Sequence, residues 1–204
     1  LLIQKSLSHV PALLVALRFT IAPLLLWDAL DGYVTPGFLI GYVIAVLSDI
    51  FDGIIARRLG VSTAQLRQAD SWADICLYLC IASSAWLVHP EVVLDFRWPL
   101  LWAIAAQLTL FAMNLIKFGQ FPSYHTYTAK AWGISLLIAT IGLFGFSNAN
   151  LLWLAIGFCW LNSLEEMIMT LILPEWQCDV LSLFHAIDLR RSSISKKSQV
   201  PADL

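Results

Sequence analysis

At 204 residues, with 59% hydrophobic and only 13% charged, the chain is too poor in charge for a soluble domain, where about a quarter of residues are charged. A mean hydropathy of +0.77 and a net charge of −2 point to lipid and argue against a nucleic-acid partner. The apolar residues fall in repeated runs of about 20, the length that crosses a bilayer. The expected fold class is therefore all-α: an integral membrane bundle of six transmembrane helices.

In chain order the expected spans are 10–30, 36–57, 70–88, 99–117, 129–146 and 151–173. The separating segments, among them DGYVTPG, RRLGVSTAQLRQ, FGQFPSYHTYT and GFSNAN, are turn-like in composition. Lys5, Arg57, Arg58, Arg67, Lys117 and Lys130 border one set of ends, and Arg190, Arg191, Lys196 and Lys197 lie in the tail. Arg97 alone falls in a loop on the opposite side. That bias predicts cytoplasmic N and C termini, a multi-pass protein of the cytoplasmic (inner) membrane, and an acidic stretch facing the cytoplasm. Residues 1–174 form the expected membrane domain and 175–204 a cytoplasmic tail. In the tail DVLSLFHAI could lie at the interface as a short helix, with disorder expected over the last dozen residues. Cys76, Cys80, Cys159 and Cys178 have no close metal-type spacing and are expected to be small apolar residues. No cleavable signal-peptide pattern stands out.

The first chemical feature is Arg18 inside the first span. A charge there needs a partner or a route to the interface, which leaves a phosphate or acceptor contact and a structural ion pair as alternatives. The second is the acidic stretch. At about 100° per residue, Asp52, Gly53 and Ala56 lie about 60°, 40° and 20° from Asp49, on one face of a helix. Asp70 and Asp74 share a face of the next. A short loop should make these two helices antiparallel neighbours whose acids converge. Four aspartates at the centre of a membrane helix would cost on the order of 10 kcal/mol, and placement near the interface does not remove their repulsion. Something cationic is required. Arg57 is one candidate but cannot neutralise four; two divalent ions could, and an oxygen-only set favours Mg²⁺ or Mn²⁺. Paired ions suit the gripping of a diphosphate during phosphoryl-type transfer. Gly53 and Ala56 leave room for a ligand, or for close helix packing. A carboxylate such as Asp74 could also take a proton from an attacking hydroxyl, and spacing alone does not separate base from ligand.

Further on, Asn114, Lys117, His125, Tyr127 and Lys130 gather at the same membrane face. The lysines fit either the positive-inside bias or an anion pocket, and His125 fits an exposed structural role. In the sixth span Glu165 and Glu166 point about 100° apart, so at least one must face the bundle interior. Glu165 with Asn162 is the expected pair, with Arg18 or Lys130 as its partner. Trp27, Trp98 and Trp176 sit near span ends, as an aromatic belt would place them.

The stretch DIFDGIIAR–RLGVSTAQ–LRQAD–SWAD resembles the signature of the CDP-alcohol phosphatidyltransferase family. Asp49, Asp52, Gly53, Ala56, Arg57, Asp70 and Asp74 fall in register. The family's second glycine is Leu66 here, a change at the nucleotide pocket that leaves the acids intact. VPALLVALRFTIAP is similar to the family's amino-terminal run, with Pro11, Arg18 and Pro23 at the usual offsets and Val15 where threonine is frequent. The resemblance implies transfer of a phosphatidyl group from CDP-diacylglycerol to a small alcohol, with glycerol 3-phosphate favoured, and release of CMP. It implies Asp49, Asp52 and Asp70 as metal ligands, Asp74 as ligand and general base, and two Mg²⁺ or Mn²⁺ ions. It places Gly53, Ala56 and Arg57 by the cytidine or diphosphate, and Lys130 at a recurrent basic position. It also implies a homodimer among membrane lipids. The rival classes are a divalent-cation transporter, for which acids at one membrane face offer no path across, and an inactive scaffold of the same fold.

Overall fold

The computed structural model describes residues 10–61, 63–124 and 126–198. Among them the chain is all-helical, and six helices are long and apolar enough to cross a membrane. They form two compact units: one runs to Asp95 and adds Phe144–Ser147, and the other holds Phe96–Leu143 and the chain from Asn148 onward.

The first unit contains α1 (Val10–Asp28), α2 (Pro36–Leu59), α3 (Ala64–Val88) and the short α4 (Pro90–Asp95). The turn from α1 to α2 is tied by Asp28, whose carboxylate accepts from the Thr35 backbone N–H and hydroxyl, both at 2.9 Å. Gly32 supplies the left-handed φ of +81° within it. Proline at the first position of α2 needs no hydrogen bond from its nitrogen. Tyr42, Ala45, Ser48, Asp52 and Ala56 of α2 are buried, while Ile44, Leu47, Ile50 and Phe51 are exposed. That is the helical stripe expected of a membrane helix with one face inward and one in lipid.

The helices do not pack in the order expected. Instead of α2 lying against α3, α1 packs against both, and α2 and α3 make no comparable contact among the described residues. Small residues allow this: Ala22 of α1, Ala45 of α2 and Ala73 of α3 are fully buried. A Cβ on Gly41 would come within 3.0 Å of the Leu25 side chain, so α1 and α2 approach as closely as glycine permits. The physical reason for the intervening helix is charge, since it brings a cation between two acidic faces.

α3 begins six residues before the apolar run does. Thr63, in extended backbone, accepts the Leu66 N–H through its side chain at 3.1 Å and caps the helix. Hydropathy detects only the lipid-facing part of that helix. Leu66 therefore sits in a first turn of ordinary helical backbone, and Gly60, with φ +67°, follows the end of α2.

The second unit contains α5 (Arg97–Phe118), most of α6 (Tyr127–Phe146), a 3₁₀ turn (Ala149–Leu151), α7 (Leu152–Ile172) and α8 (Leu183–Ser198). Buried polar side chains hold α5 to α7, as is common between membrane helices. Gln107 donates to Ser163 Oγ at 2.9 Å and Asn114 to Thr170 Oγ1 at 2.9 Å. The Tyr124 hydroxyl joins Asn114 and Thr170, and burial raises its pKa above the usual phenol value. Ala186 of α8 and Val180 before it pack onto Tyr124, Met169 and Leu173. α8 runs past the DVLSLFHAI patch to Ser198, and the rest of the last dozen residues lies outside the described residues. Trp27 and Trp98 are exposed near span ends, and Trp176 donates to the Phe121 carbonyl.

Candidate active site

The four aspartates converge, and the cation among them is Arg18. Its side chain is fully buried, and its guanidinium contacts all four acids. Nη1 donates to Asp70 Oδ1 at 3.0 Å and Asp74 Oδ1 at 2.5 Å, and pairs with Asp49 Oδ1 at 3.0 Å. Nη2 donates to Asp52 Oδ2. Nε is buried with no hydrogen-bond partner.

Helix geometry makes this meeting possible. Arg18 lies eight residues into α1, Asp52 seven from the end of α2, and Asp70 and Asp74 six and ten into α3. At about 1.5 Å per residue, all fall roughly 9–15 Å along their helices from the ends that share one side of the unit. The depth of each charge was readable from sequence. Of the alternatives for Arg18, the ion pair is present, and its partners are these four acids.

Accessibility divides the acids. The Asp52 side chain is only 5% exposed, against 43% for Asp49 and 34% each for Asp70 and Asp74. The Arg18–Asp52 pair is buried, and removing one partner of such a pair costs about 3–5 kcal/mol. The other three are open on one side, where solvent screens them. One oxygen from each of Asp49, Asp70 and Asp74 lies within 4.8 Å of the others, a grouping able to hold a metal ion. The donor set is oxygen-only, as a hard divalent ion prefers, and among the described residues one guanidinium leaves four carboxylates with excess negative charge. The residues therefore fit a divalent cation.

Gly53 and Ala56 follow Asp52 on α2, with Ala56 buried and Gly53 partly so. Arg57 continues the helix, but its side chain lies outside the described residues, as do Lys5 and His125. Lys130 belongs to the second unit, where it is exposed and its ammonium stands 5.4 Å from the Tyr127 ring centroid.

One expectation for the second unit is corrected: among its described residues Glu165 does not pair with Lys130. Its Oε2 accepts from Thr128 at 2.5 Å and its Oε1 from the Leu183 backbone N–H at 3.0 Å, at the start of α8. The more buried acid is Glu166, which accepts from Thr126 at 3.3 Å, and Thr126 also donates to Asn162 at 2.9 Å. Thr126 and Thr128 were missed because the TYT segment is a loop-to-helix junction with no charge to draw notice. Lys117 has backbone carbonyls as partners. Its Nζ donates to the carbonyls of Thr170, Leu171 and Leu173 at 2.8–2.9 Å and so caps the C-terminus of α7.

No curated protein and no solved structure matches the chain. The family model described as CDP-alcohol phosphatidyltransferase matches residues 8–174, which takes in α1, the acids of α2 and α3, and all six apolar helices. With four signature aspartates gathered at one point of the fold, the chain belongs to the CDP-alcohol phosphatidyltransferase family, membrane enzymes that transfer a substituted phosphate group from a CDP-alcohol.

Proposed function

We propose that the protein transfers the phosphatidyl group of CDP-diacylglycerol to a small polar alcohol, with glycerol 3-phosphate favoured, and releases CMP. The observation that carries this reading is the convergence of Asp49, Asp52, Asp70 and Asp74 on one buried guanidinium, in a chain that belongs to this family. Those four carboxylates would hold two Mg²⁺ or Mn²⁺ ions, which supply positive charge to the diphosphate.

The chain's own residues do the rest. Gly53 and Ala56 have little side chain beside Asp52, which gives the cytidine diphosphate room against α2. Arg57 and Lys130 are the cations assigned to its phosphates or to an acceptor phosphate. Asp74 is the general base: Arg18 engages its Oδ1, and Oδ2 is the oxygen assigned to the acceptor hydroxyl. That hydroxyl gives its proton to Asp74, and its oxygen bonds to the phosphorus bearing the diacylglycerol. The bridging P–O bond then breaks, and its electron pair leaves with CMP. No serine or cysteine nucleophile is needed.

The active site is assigned to the cytoplasmic face of the inner membrane, where the lysine and arginine bias places it and where CDP-linked donor is reached from the adjoining leaflet. A homodimer with a membrane domain over 1–174 completes the reading. Residues 175–204 are assigned as a cytoplasmic tail. Within it, exposed Phe184 beside exposed Arg190 and Arg191 supports an interfacial position for α8.

The test is incubation of purified protein with CDP-diacylglycerol, Mg²⁺ and a panel of alcohols, measuring CMP. Release that needs both the donor and one alcohol establishes the reaction and names the acceptor. Mn²⁺ uptake into vesicles without CMP would instead establish a transporter.

A further inference from the structure

We infer that Arg18 is a positioning residue that competes with the divalent cation: its guanidinium holds Asp49, Asp70 and Asp74 together and gives up their oxygens when an ion binds. The inference rests on the reading of this cluster as a metal centre.

Three observations carry it. First, Nη1 lies 2.5–3.0 Å from Oδ1 of each of these three acids. They are the same acids whose oxygens lie within 4.8 Å of one another. A magnesium ion binds carboxylate oxygen at about 2.0–2.1 Å. An ion in contact with the three Oδ1 atoms that Nη1 touches would crowd Nη1, so steric overlap and like charge oppose joint occupancy. Second, Asp52 is outside that three-acid group and takes Nη2 instead. Asp52 is nearly inaccessible while the three are open on one side, so an ion arrives from the open side and Arg18 can turn about its bond to Asp52. Third, Nε is buried without a partner. A stranded donor makes the four-acid arrangement of the guanidinium less than fully satisfied, and a rotation of the group can relieve it.

A purely structural arginine and a competing one predict opposite signs. If Arg18 only supports the fold, removing it loosens the acids and weakens ion binding. If it competes, removing it tightens binding, because an ion no longer has to displace a cation.

The experiment uses the full chain in detergent micelles and Mn²⁺ alone, with free Mn²⁺ followed by its paramagnetic resonance signal. In Arg18→Met the Mn²⁺ dissociation constant is expected to fall at least about tenfold, since a buried like charge is removed from contact distance. Its thermal midpoint without added ion is expected to drop by about 5 °C or more and to recover on Mn²⁺ addition. Unchanged or weaker Mn²⁺ binding overturns the inference. Should Arg18→Met not fold, Asp52→Asn is compared with Asp52→Asn/Arg18→Met, which removes an acid and the cation together and leaves the three-acid group intact. Tenfold tighter binding in the double variant supports competition, and equal or weaker binding overturns it. CMP release by the wild-type chain is measured in parallel. Release with no change in Mn²⁺ affinity on losing Arg18 sinks the competition alone. Neither release nor Mn²⁺ binding in the wild type sinks the proposed function, and the competition with it.

Discussion

Two groups of acids lie within membrane helices of this protein, and they are satisfied in different ways. In the first unit four aspartates share one guanidinium. In the second, Glu165 and Glu166 are met by threonine hydroxyls and a backbone N–H, and no lysine or arginine pairs with them among the described residues. Neutral donors suffice for carboxylates whose task is to tie a loop and the tail helix to α7, because each oxygen needs only a hydrogen bond. Four converging carboxylates around the one positive charge described there retain an attraction for more cations. Excess charge held against its own repulsion marks the proposed site; satisfied charge marks the scaffold.

That contrast can be broken by experiment. The largest effect is expected from Asp74→Asn, which removes the base proposed for the acceptor hydroxyl. Transfer should fall about 10²–10⁴-fold, with helical circular dichroism unchanged; turnover close to wild type would remove Asp74 from its role. Chelation should stop CMP release as fully and Mg²⁺ or Mn²⁺ should restore it, so activity that persists in excess chelator would detach the cluster from metal chemistry. In the second unit charge should be dispensable. Glu166→Gln keeps an acceptor for Thr126, so transfer should stay within about twofold and the thermal midpoint within about 3 °C of wild type. A collapse of transfer in that variant would mean both acid groups work on substrate. Lys117→Met removes the donor to three carbonyls at the end of α7 and should destabilise by about 1–2 kcal/mol, seen as a lower midpoint with the KM for either substrate unchanged. The smallest effect belongs to Leu66→Gly. The backbone there is already helical and capped by Thr63, so donor KM should shift by only about two- to threefold while acceptor KM stays constant. A change confined to the acceptor would place Leu66 away from the nucleotide.

The amino-acid sequence by itself determined the six apolar helices, the common face of Asp49 and Asp52, that of Asp70 and Asp74, and the family. Each depends on local quantities: run length, a 3.6-residue period, and the spacing of the signature. The tertiary structure alone decided which helix stands between the two acidic faces, that Arg18 is a cation among the acids, and that Glu165 and Glu166 answer to Thr126, Thr128 and the first residue of α8. It also decided that Lys117 closes a helix end. Partners of this kind are 31–56 residues apart for the aspartates and Arg18, and 36–56 for the others, except at α8. Periodicity within one helix sets the direction in which a side chain points around its own axis. It carries no information about which neighbour stands there, because that choice is made by packing of small residues and by the balance of charge between helices.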